Sequence, residues 1–112
     1  MKRYGMVSRV RPEQLEEYKS LHADVWPSVL ATIEQCHIRN YSIFTARLPD
    51  GHEYLFSYFE YFGSDFDADM EKMAADEETQ RWWAICKPLL EPITELPPGE
   101  VWSIAEEVFH TD

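Results

Sequence analysis

The chain has 112 residues, 21 acidic and 10 basic side chains, a formal net charge of −11, 45% apolar residues and 14% aromatic ones. Such apolar content excludes a disordered acidic polymer, and the length suits a single domain, taken as residues 1–112. No apolar run approaches the roughly 20 residues of a membrane-spanning helix, and Met1-Lys2-Arg3-Tyr4 opens a strand-like segment rather than a signal peptide.

From Tyr4 to Val10 the residues alternate in a strand-like period. Pro12 stands where a helix can begin, since its missing N–H costs nothing in a first turn. Leu15, Tyr18, His22, Val25, Val29 and Ile33 then form a helical stripe, which Pro27 interrupts. A kink or restart is expected near Asp24 to Pro27. Ile38 to Leu48 and Glu53 to Phe62 read as two strands joined by Pro49-Asp50-Gly51-His52, an Asp-Gly hairpin signal. Gly63-Ser64 ends the hairpin, with Ser64 as the expected N-cap of a helix carrying Phe66, Met70 and Met73. A further helix is expected over Thr79 to Cys86, then a proline-rich connector at Leu96 to Gly99, then a closing strand from Val101 to Phe109.

The order β-α-β-β-α-β predicts an α+β, ferredoxin-like fold: a four-stranded antiparallel sheet with helices on one face. The other face is then bare, and the sheet carries Tyr41, Tyr54, Phe56, Tyr58, Phe59 and Tyr61. A bare apolar face marks an interface. The expectation is a homodimer joined through the sheet faces, an association resembling a dimeric α/β barrel.

Several chemistries lack their residues. The cysteines, Cys36 and Cys86, and the histidines, His22, His37, His52 and His110, show no metal-ligand spacing, and no phosphate-binding glycine loop or G-x-S-x-G is present. No metal and no cofactor is therefore expected. The basic residues are scattered, so the net negative field argues against nucleic acid and against an anionic membrane as partners. Acid is concentrated in Glu60, Asp65, Asp67, Asp69, Glu71, Asp76, Glu77 and Glu78, opposed there only by Lys72. This reads as a solvated helix face, or else as a docking surface for a basic partner.

Tyr18 and His22, four residues apart, share one helix face, and Trp26 follows four further on. An imidazole beside a phenol and an indole suits proton transfer near neutrality, although the same spacing fits a hydrogen-bonded helix residue with no chemistry. On the second strand Tyr41 and Ile43 share a face opposite Asn40, Ser42 and Phe44. Trp82 and Trp83 point about 100° apart on a helix, so one can fill the core while the other faces a cleft.

Four short motifs occur in order: Tyr18-x3-His22-x3-Trp26-Pro27, Asn40-Tyr41-Ser42-Ile43, Arg81-Trp82-Trp83 and Glu107-Val108-Phe109. Together they resemble the L-rhamnose mutarotase family along nearly the whole chain. The resemblance implies a small, cytoplasmic, cofactor-free, dimeric isomerase acting on a monosaccharide. It makes His22 the proton donor and places sugar contacts on Tyr18, Tyr41, Trp82 and Trp83. One segment departs from the family pattern. Where better-known members carry Asn-Pro-Asp-Asn-Ser-Pro, this chain has Cys86-Lys87-Pro88-Leu89-Leu90-Glu91-Pro92, continuing to Pro97-Pro98-Gly99-Glu100.

The implied reaction opens the pyranose ring by acid–base catalysis, lets the aldehyde rotate about C1–C2, and closes the ring on the opposite face. L-Rhamnose is the first expected substrate, with L-fucose or another deoxyhexose as the alternative. The base that would partner His22 has no sequence signature. Two readings of other classes are a cofactorless ferredoxin-like oxygenase and a non-catalytic adaptor using the acidic stretch.

Overall fold

The computed structural model describes residues 1–112. Its main elements are β1 (Lys2–Val10), α1 (Leu15–His22), α2 (Pro27–Gln35), β2 (Ile38–Arg47), β3 (Glu53–Tyr61), α3 (Phe66–Ala75), α4 (Glu77–Cys86), β4 (Leu90–Glu91) and β5 (Ser103–Ala105). The strands lie in the order β2-β3-β1-β4, with β5 also paired to β1, and every pairing is antiparallel. This is the ferredoxin-like arrangement expected from the element order.

Each crossover holds two short helices instead of one. The break before α2 falls at residues 23–26, and Pro27 becomes the first residue of α2, where its missing N–H is no loss. Asp65, not Ser64, caps α3 by accepting from the Ala68 N–H at 3.1 Å. Asp76 caps α4, which therefore begins two residues before Thr79. The closing strand is also shorter than the sequence suggests. Only Ser103–Ala105 pairs with β1, the added strand β4 takes the other part of that edge, and Glu107 meets Arg3 by a side-chain ion pair at 2.7 Å.

The ladder between β2 and β3 contains one irregularity. Ile38 lies opposite Tyr61, yet Ser42 lies opposite Tyr58, so β2 carries one extra residue between Arg39 and Ser42. Asn40, at φ 51°, takes the left-handed conformation that this bulge requires, one that asparagine tolerates better than most residues. The extra residue inverts the alternation, so Ile38 and Tyr41 both turn toward the helices. Of the six aromatic residues expected on the bare face, only Tyr54, Phe56 and Tyr58 lie there. Phe59 and Tyr61 are buried on the helix-covered side, and Tyr41, still 39% exposed, turns to that side against Phe59, because strand side chains alternate and the bulge resets the phase for Tyr41.

The buried interior comprises three clusters. Cys36, Ile38, Phe59, Tyr61 and Met73 form one; Val10, Tyr18, Leu55 and Leu90 a second; Val29, Trp82 and Cys86 a third.

The acidic stretch is only partly a solvated face. Asp65 and Asp76 cap helices, Glu60 accepts from Asn40 and Tyr58, and Asp69 accepts from Tyr61 and His37. These hydrogen bonds hold the Glu60, Asp69 and Asp76 carboxyls below the usual carboxylate range. No helix is long and apolar enough to cross a membrane.

Candidate active site

His22 is the last residue of α1, where the helix stops before Pro27. Its Nδ1 lies 2.9 Å from the Tyr18 carbonyl one turn earlier. A carbonyl can only accept, so Nδ1 carries the proton and donates it, which leaves Nε2 as an unprotonated acceptor in the neutral ring. Burial lowers the imidazole pKa from its ordinary value, and the hydrogen bond to Tyr18 opposes this only in part. At neutral pH His22 is therefore uncharged, with a free basic nitrogen.

Aromatic rings surround it. The Tyr18 ring stacks on the imidazole with centroids 4.2 Å apart, and Trp82 meets it edge-on at 5.3 Å. Trp26 packs edge-on against the same Trp82 at 5.2 Å, which accounts for its place one further turn along the motif. Tyr18 and Trp82 are both buried. Burial, first, and then the neighbouring Tyr41 and Cys86 raise the Tyr18 phenol well above its ordinary pKa. Desolvation pushes the Tyr41 phenol up to about 12 and the Cys86 thiol up to about 11. All three groups stay protonated at neutral pH, so each keeps a hydrogen to donate.

The bulge in β2 turns Tyr41 to the helix-covered face, where its ring packs against Phe59 at 5.4 Å. The tandem tryptophans separate as adjacent helix positions must. Trp82 goes to His22. Trp83 lies half-buried under the Lys87 ammonium, 4.5 Å from the ring centroid, and packs against the cluster that contains Phe59. His22, Tyr18 and Trp82 thus form one contiguous group, Tyr41 adjoins it from the sheet, and Trp83 stands on the far side.

A cavity of about 250 Å³ opens beside His22 and Tyr18, with Leu15, Ile43, Thr45 and Leu55 among its walls. Its size suits a small molecule rather than a polymer. Sequence reasoning did not mark Ile43 or Leu55 as walls of a cavity; for Ile43 the available signal was its two-residue spacing from Tyr41 along the strand. The divergent segment lies elsewhere. Pro88, Pro92, Pro97 and Pro98 line a separate groove of about 740 Å³ with Trp83 and Lys87. No group of three or more histidine, cysteine, aspartate or glutamate side chains is placed to hold a metal ion.

Fold and site together define a ferredoxin-like α+β protein with one neutral histidine in an aromatic pocket, a setting suited to proton transfer on a small uncharged molecule. A family model described as L-rhamnose mutarotase matches residues 3–111. The chain belongs to the L-rhamnose mutarotase family. It is 33% identical to L-rhamnose mutarotase of Oceanobacillus iheyensis and 32% identical to that of Bacillus subtilis, over 112 residues and the whole of both chains in each case. Among solved structures, the crystal structure of an L-rhamnose mutarotase from Formosa agariphila superposes with a TM-score of 0.76 at 21% identity, covering all of both chains, which shows the shared fold.

Proposed function

We propose that this chain is an isomerase that interconverts the α and β anomers of L-rhamnose, with His22 as its proton-transfer residue. The observation that carries the assignment of His22 is its fixed tautomer: Nδ1–H is held by the Tyr18 carbonyl and Nε2 is free in an aromatic pocket. Family membership favours this reading over the oxygenase and adaptor alternatives. Because the divergent prolines line a separate groove, the His22 cavity supplies no reason to abandon L-rhamnose for another deoxyhexose.

A neutral imidazole enters the cycle by taking a proton. Nε2 accepts the proton of the anomeric hydroxyl; the O1 electron pair forms the carbonyl as the C1–O5 bond breaks. The imidazolium then gives the same proton to the departing ring oxygen. O1 and O5 are both bonded to C1, so one nitrogen can serve both in turn. His22 in this account is the proton donor of the second half-step, and no separate base is required. After rotation about C1–C2 the steps run in reverse on the other carbonyl face. General acid–base catalysis of this kind contributes roughly 10²–10⁴-fold.

The Tyr18 and Tyr41 phenols donate hydrogen bonds to sugar hydroxyls. Trp82 supplies an apolar wall for ring C–H groups and the C6 methyl, while Trp83 backs that wall from the far side, where it lines the separate groove. The working form we propose is a homodimer joined through the open sheet face, where Phe44 is 63% exposed and Phe56 36%. The reducing cytoplasm suits its two buried free thiols. NMR saturation transfer between the anomers of L-rhamnose tests the activity: acceleration by the wild type is expected, and none would overturn the assignment. L-Fucose run in parallel separates the two substrates.

A further inference from the structure

Two buried hydroxyls, those of Ser57 and Ser103, lack a hydrogen-bond partner, and the account above uses neither. Ser57 lies on β3 between Leu55 and Phe59, is only 5% exposed, and its Oγ has no hydrogen-bond partner. Its cross-strand neighbours are Met6 on β1 and Ile43 on β2. All four neighbours are apolar. A buried, unpaired hydroxyl is costly, and serine is a poor choice for a strand position between apolar neighbours unless something pairs with it.

Its position suggests what that partner is. Leu55 belongs to the cluster of Tyr18, and Phe59 belongs to the separate cluster that Trp83 packs against. Ser57 therefore stands at the seam between two apolar clusters on the helix-covered face. Leu55 and Ile43, its neighbours along and across the sheet, both line the His22 cavity. Tyr41 packs on Phe59, two residues from Ser57 along the same face. Tyr18 thus lies toward one side of the seam and Tyr41 toward the other.

We propose that Ser57 is a substrate-binding residue, its Oγ forming a hydrogen bond with one ring hydroxyl of the monosaccharide held between Tyr18 and Tyr41. The inference rests on the sugar site proposed above and adds a contact from the sheet floor. It also gives the site a means of discrimination. A sugar with a hydroxyl at that position satisfies a buried group, whereas a sugar lacking it leaves Ser57 unpaired.

Titration of wild type and Ser57→Ala with L-rhamnose and its 2-, 3- and 4-deoxy analogues, followed by tryptophan fluorescence, tests the contact. A neutral hydrogen bond of this kind predicts affinity for L-rhamnose about 2–10-fold weaker in Ser57→Ala. One analogue should bind both proteins equally, because the hydroxyl it lacks is the one Ser57 holds. Thermal melting of Ser57→Ala should be unchanged or higher, since the substitution removes an unpaired group. Unchanged affinity for L-rhamnose in Ser57→Ala overturns the inference, as does an equal penalty for every analogue in the two proteins. If the wild type accelerates anomer exchange while either of these results is found, the mutarotase reading stands and only Ser57 is misassigned. If the wild type neither binds nor exchanges L-rhamnose, both fall together.

Discussion

The two faces of the sheet carry similar aromatic side chains and use them in opposite ways. On the covered face, Tyr4, Tyr41, Phe59 and Tyr61 pack with the helices and with one another; Tyr4, for example, stacks on Phe66 at 4.4 Å. On the open face, Tyr54 and Tyr58 send their hydroxyls to Asp50 and Glu60, while Phe44 and Phe56 meet solvent. One strand, β3, supplies both sets from alternate positions. Aromatic content by itself therefore does not mark a site. What distinguishes the covered face is the presence beside its aromatics of polar groups left free, above all Nε2 of His22.

The largest effect that would sharpen this contrast is on chemistry. His22→Gln should lower kcat for anomer exchange by roughly 10²–10⁴-fold with little change in Tm, measured by saturation transfer and thermal melting. Unaltered kcat would return His22 to a purely structural role. Next in size is Leu55→Ala, on the covered face at 1% exposure, which should cost about 2–5 kcal/mol in urea unfolding. The open face should respond differently. Phe44→Asp paired with Phe56→Asp should leave the far-ultraviolet spectrum unchanged yet convert the proposed dimer to monomer in sedimentation. A wild type that is already monomeric would remove the proposed interface.

A smaller effect concerns pH. Because burial lowers the His22 pKa, the entering neutral form persists down to below about 6.5. The profile of kcat/KM should be flat at neutral pH and fall only on the acid side, with an apparent pKa below that value. A fall with rising pH through neutrality would instead make the imidazolium the entering form. Stability follows the same sign. As pH drops below about 6.5 the unfolded chain binds a proton that buried His22 resists, so stability declines. At lower pH it declines further as Glu60, Asp69 and Asp76, whose carboxyl pKa values folding depresses, become protonated. The smallest change expected is in Asp76→Ala, which removes the α4 cap and should lower Tm by a few degrees without altering kcat.

Sequence patterning located most of the fold because it is written in local chemistry. The Asp-Gly turn, the proline that restarts the helix and the alternation of β1 each act within a few residues, and the structure keeps all three. The cap of α3 shifted by one residue because Ser64 and Asp65 offer similar oxygens, and helix placement chooses between them. The pairing of Tyr18 with His22 was legible because helical spacing puts both on one face. The cavity walls Ile43 and Leu55 were not, since alternation says which residues share a face but not which face the helices cover.

The sequence by itself determined the element order, the ferredoxin-like plan and the aromatic motif around His22, all of which follow from short-range periodicity and turn chemistry. Tertiary structure decided the rest. A bulge at Asn40 turned Tyr41 to the helix-covered face, packing sent Trp82 to His22 and Trp83 to Lys87, and the Tyr18 carbonyl fixed the imidazole tautomer. Strand register, packing between elements and ring orientation depend on long-range contacts, whose partners no local pattern specifies.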